Sequence, residues 1–331
     1  MLTRKISTTT QLINAKSDSS TPQTEDFTVA ILLCSYNGEK FLDRQIESIQ
    51  RQTHKNWTLY ISDDGSSDST LSVIRALQGA VPAGKIHLFK GPRRGFASNF
   101  ISLLTRAEVQ ADFYAFCDQD DIWHEDKLER SLKCLASAPS HLPALYCART
   151  RLIDEQGAII GYSPLFSRPP GFSNALVQSI AGANTMLINH QARALLNIDF
   201  EAAPIVAHDW LIYLIVAGAE GFIYYDPLPA LDYRQHPGNI IGDQSGFHLK
   251  LTRFRKAFSG RFKVWCDHNI KILGRVRHVL TKQNQVKLDD FSSARSSGLL
   301  RRMHLMRRAR IYRQTATGNI GLFFAVVLNK L

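Results

Sequence analysis

The 331-residue sequence lacks any long hydrophobic run. A helix that crosses a bilayer needs about 18 or more predominantly apolar residues, and the nearest stretch, Ile320 to Leu328, has nine. The first 25 residues are rich in Ser, Thr and Gln and contain no apolar run of signal-peptide length. We therefore expect no membrane-spanning segment. Residues 1–25 are predicted to form a disordered tail, with an organelle transit peptide as the alternative.

Cysteine is also sparse, and its spacing excludes the common zinc sites. The five cysteines are separated by long intervals, with no pair at zinc-ligand spacing. Three of them, Cys34, Cys117 and Cys147, lie in apolar, strand-like runs, where cysteine behaves as a small hydrophobic residue. Their odd number favours reduced thiols and hence a cytoplasmic location.

Acidic residues are scarce at one end of the chain only. From Ser245 onward there are 19 Lys and Arg against three acids, whereas the preceding residues carry 21 bases and 26 acids. The net charge of +11 therefore belongs to the C-terminal quarter, which predicts an anionic partner for that region.

The basic region also has a regular apolar pattern. Large apolar residues recur at steps of three or four between Leu251 and Trp265, and Ile272, Val276 and Val279 continue them. Such helices can lie in a membrane interface and be attracted by anionic lipid. Alternatively, the apolar stripe packs on the rest of the protein and the charges are simply solvated. We favour the membrane interpretation, at the inner face of the plasma membrane.

The N-terminal half alternates predicted strands and helices, which indicates a doubly wound, mostly parallel α/β sheet with helices on both faces. The predicted strands are Phe27–Leu33, Trp57–Ile61, Ile86–Phe89 and Phe113–Cys117. Between them we expect a helix containing Phe41, Leu42, Ile46 and Ile49, capped by Asn37, and helices over Ser66–Leu77 and Phe96–Ala107. Further on, Leu142–Arg149, Asn184–Asn189 and Phe222–Tyr225 are predicted strands, and His208–Ala217 a helix.

Polar clusters follow three of these strands. They are Ser35-Tyr36-Asn37, Asp63-Asp64-Gly65 and Asp118-Gln119-Asp120-Asp121. Each cluster alone could cap a helix or shape a turn. However, ligands of doubly wound sheets bind beyond the carboxyl ends of the strands. Recurrence of polar clusters at successive strand ends therefore predicts one shared crevice.

The third cluster predicts a metal site. Asp118, Asp120 and Asp121 repel one another unless a positive charge lies among them. Mg²⁺ or Mn²⁺ suits such carboxylates, with substrate phosphates completing the coordination shell. An EF-hand is excluded because its glycine and distal glutamate are missing. A solvated acidic turn is the alternative.

In combination, these motifs resemble those of family 2 glycosyltransferases with a GT-A fold, over roughly Phe27 to Ile241. The resemblance implies an inverting, metal-dependent transfer of a sugar from a nucleotide diphosphate to an acceptor hydroxyl. It predicts a GT-A domain at residues 26–244, followed by a basic helical region at 245–331.

The resemblance also implies residue roles. Ser35 and Tyr36 would line the base and ribose pocket, and Asp64 would accept a hydrogen bond from the base, with Asp63 beside it. Asp118 would approach the ribose or the metal, and Asp120 would hold the metal on the diphosphate. Asn37 and Asn99 are further implied donor-binding residues, and Arg234 and His236, a late basic motif, would close over the phosphates. The Gly-Pro-Arg-Arg-Gly loop before a helix predicts that Arg93 or Arg94 meets the diphosphate, with a surface-exposed basic loop as the alternative.

The residue sequences of several motifs are similar to those of a rhamnosyltransferase-like branch of the family. The motifs are Asp-Gln-Asp-Asp-Ile-Trp from Asp118, Gly-Phe-Ala-Ser-Asn-Phe from Gly95 and Tyr-Arg-Gln-His from Tyr233. For that branch the donor would be dTDP-L-rhamnose, used in cell-surface polysaccharide or O-antigen assembly on a glycan or lipid-linked acceptor. A UDP-hexose donor is the alternative.

The proposed transfer also requires a base. His208-Asp209-Trp210 opens an apolar helix, and its position resembles the catalytic pair of the family, so we predict Asp209 as general base with His208 orienting it. An N-terminal acid that stabilises the helix is the alternative. The acceptor region is predicted at Asp121, Trp123, Gly182 and Asn184.

A nucleic-acid-binding protein is the alternative from another class, suggested by the arginine clusters. No recognised nucleic-acid-binding motif accompanies them, and the crevice acids would repel phosphate in the absence of a metal. We therefore predict no nucleic-acid partner.

Overall fold

A computed structural model describes residues 24–198, 205–238 and 260–331. The predicted N-terminal tail lies almost entirely outside these ranges. Leu251 and the other apolar residues of the basic C-terminal region that precede residue 260 also lie outside them.

Nine strands of the described part form one sheet. The strands are β1 Val29–Ser35, β2 Trp57–Asp63, β3 Ile86–Lys90, β4 Phe113–Cys117, β5 Ile122–Trp123, β6 Ala144–Ile153, β7 Ile159–Tyr162, β8 Leu187–Asn189 and β9 Phe222–Arg234. Their order is β3-β2-β1-β4-β8-β6-β9-β5, with β7 paired to β6.

In the described ranges, seven helices lie between the strands in sequence, and four more follow the last strand. They are α1 Leu42–Gln50, α2 Thr70–Gly79, α3 Phe96–Leu104, α4 Lys127–Ala136, α5 Phe172–Ala175, α6 His190–Leu196, α7 His208–Gly218, α8 Arg261–Arg275, α9 Lys282–Ser296, α10 Leu299–Arg308 and α11 Ala316–Val327.

The first four strands are parallel, as predicted, and β1, β2 and β4 are buried on both faces, whereas β3 is largely half-buried. Every residue of β1 is buried. Because successive strand side chains point to opposite faces, Ala30 and Leu32 join one hydrophobic core, whereas Val29, Ile31 and Leu33 join the other. The second half of the sheet is mixed, since β8 runs antiparallel to β4 and β6 but β9 runs parallel to β6. The predicted fold class is confirmed.

Two local predictions are wrong. Asn37 does not cap α1, whose N-cap is Phe41. Asn37 instead has a positive φ of 49°, and its side-chain oxygen accepts a hydrogen bond from the Ser67 amide at 2.8 Å. Asn184 lies in a single 3₁₀ turn rather than in a strand.

Strand β9 also continues well beyond its predicted end at Tyr225. Its partner β6 continues as well, and the pairing persists to Ile153 and Arg234 after register shifts near Arg149. These irregularities accommodate Pro227 and Pro229, which cannot donate ladder hydrogen bonds. The pairing carries β9 back to the edge of the sheet beside β5.

The apolar stripe of α8 is buried, which contradicts the membrane interpretation for this stripe. Ile272, Leu273 and Val276 are almost inaccessible and belong to the same core as Trp210 of α7. The alternative, packing on the rest of the protein, is therefore correct for this helix. No helix in the described ranges combines the length and hydrophobicity needed to cross a bilayer.

Candidate active site

The strand register brings the predicted polar clusters to one edge of the sheet. Ser35 at the end of β1 is paired with Asp63 at the end of β2, and Leu33 of β1 is paired with Cys117 at the end of β4. Asp64 and Asp118 therefore follow the two parallel strands that flank β1, at the same edge of the sheet, as the sequence predicted.

Ser35 and Asp63 build the floor of this edge. Both are buried, and the Ser35 hydroxyl donates to the Asp63 carboxylate at 2.9 Å. The same carboxylate accepts hydrogen bonds from the backbone amides of Gly65 and Ser66. The contacts support a scaffolding role for both residues, and a direct contact with a nucleotide stays a prediction.

Tyr36 is the accessible member of the first cluster. Its side chain is 59% exposed. The Gln119 side chain accepts a hydrogen bond from the Tyr36 amide at 2.9 Å and donates one to the Tyr36 carbonyl at 3.1 Å. Gln119 thereby ties the first cluster to the third and leaves the Tyr36 ring free for stacking. This bridging role of Gln119 was not predicted, and the only indication of it in the sequence is that Gln119 lies between Asp118 and Asp120.

Asp64 fastens the loop that carries the two arginines. Its carboxylate accepts hydrogen bonds from the Arg93 amide at 2.6 Å and the Gly95 amide at 2.9 Å. A Cβ atom on Gly91 would lie 2.8 Å from the Asp64 carboxylate. The loop is therefore closely packed, which places Arg94 one residue after a backbone anchor.

Asn99 also has a scaffolding position. It is buried, and its side chain accepts from the Ser62 hydroxyl at 2.6 Å and donates to the Ser62 carbonyl at 2.9 Å. These contacts lock α3 to β2. The structure supports a positioning role for Asn99, and its predicted donor contact stays a prediction.

The late basic motif holds Asp120 in place. The Nε2 atom of His236 lies 2.8 Å from the Asp120 carboxylate, and the Arg234 guanidinium donates to the Asp120 carbonyl at 3.2 Å. Both side chains pack on the Phe41 ring, and Arg234 also donates to the Glu155 carbonyl at 2.8 Å. Arg234 is fully buried, so the geometry gives it a positioning role and does not support its closing over the phosphates.

The acidic cluster is electrostatically strained. Burial, together with the nearby charges of Asp120 and then Asp209, raises the pKa of Asp118 to about 7. Burial, followed by the charges of Asp120 and Asp118, raises the pKa of Asp121 well above its usual value. A cation beside these carboxylates would relieve both effects.

The predicted acceptor residues are largely buried. Asp121 accepts a hydrogen bond from the Asn184 amide at 2.6 Å, and the other Asp121 oxygen lacks a partner. The Trp123 ring is covered by the Lys127 ammonium, 3.7 Å from its centroid. Asp121, Trp123 and Asn184 therefore brace the acidic loop from within, and the structure does not support their contact with an acceptor. Gly182 adjoins them as the N-cap of the 3₁₀ turn at Asn184.

Asp209 lies in the first turn of α7 and interacts with the acidic cluster. Burial raises its pKa to about 6, and the Ser179 hydroxyl donates to its carboxylate at 3.2 Å. Because the charge of Asp209 contributes to the pKa shift of Asp118, the two carboxylates lie within electrostatic reach. Nothing in the sequence indicated Ser179, which is 30 residues away from Asp209 along the chain.

The predicted role of His208 in orienting Asp209 is not supported. Its ring stacks on Phe100 with 4.1 Å between centroids and also contacts Phe96 and Phe116. Neither ring nitrogen has a hydrogen-bond partner, and burial lowers the pKa of His208 to about 3. The ring is therefore a neutral part of the core. His208 does not meet the adjacent Asp209 because helical geometry directs successive side chains to different faces.

The described residues contain no group of three or more His, Cys, Asp or Glu side chains placed to hold a metal by themselves. Asp118 and Asp120 nevertheless fit a metal site whose remaining ligands come from the substrate and from water. Magnesium-type ions are commonly held by one or two carboxylates, with substrate phosphates and water as the other ligands. Asp118 and Asp120 match that pattern.

Comparisons with known proteins agree with this geometry. Residues 30–158 match the sequence model described as Glycosyl transferase family 2. The dTDP-rhamnosyl transferase RfbG of Shigella flexneri is 28% identical over 67% of this chain and 77% of its own length. The UDP-Glc:alpha-D-GlcNAc-diphosphoundecaprenol beta-1,3-glucosyltransferase WfgD of Escherichia coli is 33% identical over 34% of this chain and 42% of its own.

The fold has solved counterparts. The crystal structure of S. aureus TarS 1-349 in complex with UDP-GlcNAc has a TM-score of 0.52 at 15% sequence identity. The match covers 91% of this chain and 81% of that one. The match to the Glycosyl transferase family 2 model spans β1 to β6, which includes the acidic edge described above, and the chain has the GT-A fold.

Proposed function

We propose that this protein transfers a sugar from a nucleotide diphosphate to an acceptor hydroxyl with inversion, and that Asp209 is the general base. One observation carries the proposal. A carboxylate with a pKa of about 6 lies within electrostatic reach of the acidic edge, where the diphosphate of a GT-A donor would bind.

The donor would bind along the edge formed by β1, β2 and β4. The exposed Tyr36 ring would stack on the nucleotide base, and the loop anchored by Asp64 would bring Arg94 towards the diphosphate. Ser35, Asp63 and Asn99 would act indirectly by fixing the backbone beneath these groups.

Asp118 and Asp120 would hold Mg²⁺ or Mn²⁺. When bound, the ion would neutralise charge on the departing diphosphate. His236 and Arg234 would keep Asp120 directed towards it, through the 2.8 Å contact with the carboxylate and the hydrogen bond to the carbonyl.

In the transfer, the acceptor hydroxyl attacks the anomeric carbon while its proton passes to the Asp209 carboxylate. The new glycosidic bond forms as the bond to the phosphate oxygen breaks, and the nucleotide diphosphate leaves with the bonding electron pair. Ser179 donates to one Asp209 oxygen, which fixes the rotamer and directs the other oxygen to the proton.

The preferred donor is dTDP-L-rhamnose, supported by the similarity to RfbG over two thirds of this chain. A UDP-sugar is the alternative, supported by the shorter match to WfgD. The diphosphoundecaprenol acceptor in the name of WfgD supports a lipid-linked acceptor in polysaccharide or O-antigen assembly. Such an acceptor requires peripheral association with the cytoplasmic face of the membrane.

The test is a screen of dTDP-rhamnose, UDP-glucose, UDP-N-acetylglucosamine and GDP-mannose for manganese-dependent thermal stabilisation and donor hydrolysis. We expect one donor to stabilise the protein only with the metal present. Asp120→Ala should abolish this stabilisation, whereas Asp209→Asn should retain it and lose turnover. Normal turnover by Asp209→Asn would exclude it as the base, and indifference to every donor and both ions would exclude the function.

A further inference from the structure

Helix α11 exposes an apolar face. Residues on its other side, Leu322 and Val326, are buried in the core. The exposed side carries four large apolar side chains, which are Ile320 at 55%, Phe323 at 53%, Phe324 at 45% and Leu328 at 54% exposure. Their spacing places them on a single helical face. The helix contains no charged residue.

The C-terminal segment that carries this face is strongly basic. Residues 260–331 contain 15 Lys and Arg and only three acids. All three acids are in ion pairs, Asp289 with Arg277, Asp267 with Arg295 and Asp290 with Arg308. The segment that carries the apolar helix thus has an excess of twelve positive charges, and this combination is complementary to a surface that is both anionic and hydrophobic.

Helix α10 adds a second exposed apolar element. It begins with Leu299 and Leu300, of which Leu300 is 84% exposed. Arg302 donates to the Val326 carbonyl at 2.7 Å and to the Ser297 carbonyl at 2.6 Å, which fastens the start of α10 to the end of α11. The two leucines are thereby held near the end of the apolar face.

We propose that the apolar face of α11, with Leu299 and Leu300, inserts into the interface of an anionic lipid bilayer. A helix of 12 residues is about 18 Å long, which is shorter than the roughly 30 Å hydrocarbon core. The helix therefore lies in the plane of the interface, with its aromatic and aliphatic side chains below the headgroups and the arginines among the phosphates. A second copy of this chain is disfavoured as the occupant, because two such basic regions would repel each other.

Hydrogen bonds connect the segment before α11 to the segment that holds Asp209, the proposed base. The Gln314 amide, just before α11, donates to the Gln178 side chain at 2.9 Å, and Asn174 donates to the Tyr312 carbonyl at 3.1 Å. Gln178 precedes Ser179, which holds Asp209. Docking of α11 would therefore fix the wall of the site relative to the bilayer. This deepens the proposed function, on which it rests, by giving the lipid-linked acceptor a defined route of approach.

The experiment uses the full chain and vesicle flotation. Wild type is compared with Phe323→Ser/Phe324→Ser and with a matched control, Ile159→Ser/Ile160→Ser, which changes two exposed isoleucines of β7. Vesicles consist of phosphatidylcholine alone or of equal parts phosphatidylcholine and phosphatidylglycerol. Unchanged melting temperatures establish that both variants fold.

We expect wild type and the control to bind the anionic vesicles and not the neutral ones. The phenylalanine variant should bind at least about tenfold more weakly, because two large apolar side chains are lost from the interface. Binding by the phenylalanine variant equal to wild type would overturn the proposal, as would equal binding to neutral vesicles. A wild-type dimer that the same variant dissociates, without vesicle binding, would make the face a self-interface and also overturn it. Donor hydrolysis by wild type in vesicle-free buffer tests the proposed function separately.

Discussion

The buried ring of His208 should make the protein sensitive to acid. The imidazole stacks on Phe100 with no hydrogen-bond partner for either nitrogen, and burial lowers its pKa from 6.5 to about 3. A group whose pKa is lower in the folded state stabilises the fold fully above its unfolded pKa. That stability is lost as pH falls from about 6.5 towards 3, because the unfolded chain then binds the proton more tightly.

The magnitude follows from the two pKa values. Each unit of pKa difference corresponds to about 1.4 kcal/mol when the unfolded state is fully protonated. Between pH 8 and pH 5 the unfolded imidazole gains its proton and the folded one does not, so the free energy of unfolding falls by about 2 kcal/mol through this residue alone. The substitution His208→Leu removes this contribution and keeps an apolar side chain in the core.

The assay is urea-induced unfolding, followed by circular dichroism at pH 8 and pH 5. The wild-type protein should lose about 2 kcal/mol more than His208→Leu over this interval. A matched control, His141→Leu, changes an exposed histidine and should lose as much stability as wild type. Equal losses for wild type and His208→Leu would refute the reasoning, because the folded ring would then have to be protonated or hydrogen bonded. Loss of sugar transfer at pH 8 by a folded His208→Leu would restore a catalytic role for this residue.

Three further predictions concern the site. If Asp209 is the base, kcat/KM for transfer should rise with pH through about 6 and then level off, since only its ionised form accepts a proton. Titration of Asp118, whose pKa responds to the charge of Asp209, would also contribute to the profile. Ser179→Ala should lower kcat/KM about fivefold, the equivalent of a ~1 kcal/mol hydrogen bond. It should also move this pH limb upward, because the Ser179 hydrogen bond lowers the pKa of Asp209 and its loss raises that pKa. An unchanged pH profile would show that Ser179 does not act through the base. Gly91→Ala should destabilise the fold by ~1–3 kcal/mol and raise the donor KM, because its Cβ would meet Asp64 and Asn99 at 2.8 and 2.7 Å. The matched change Gly79→Ala has no atom within 4 Å and should be neutral or slightly stabilising in thermal unfolding.

Much of the fold was predictable because its signals are local. The continuous apolar runs before Ser35, Asp63 and Asp118 predict buried parallel strands. Right-handed connections between such strands then bring their carboxyl ends to one edge. The sequence thus predicted that the three polar clusters lie in one crevice. It also predicted that Asp209 lies at the start of an apolar helix.

Tertiary packing decided which polar side chains serve as scaffold and which remain accessible. Ser35 and Asn99 have the same local appearance as donor-binding residues, but contacts across the sheet bury them. The apolar steps of α8 and α11 are alike in sequence, yet one stripe joins the core and the other stays exposed. Helical periodicity specifies that a face is apolar and cannot specify what covers it. What covers a face, like the meeting of Ser179 with Asp209, depends on contacts between residues far apart in the chain.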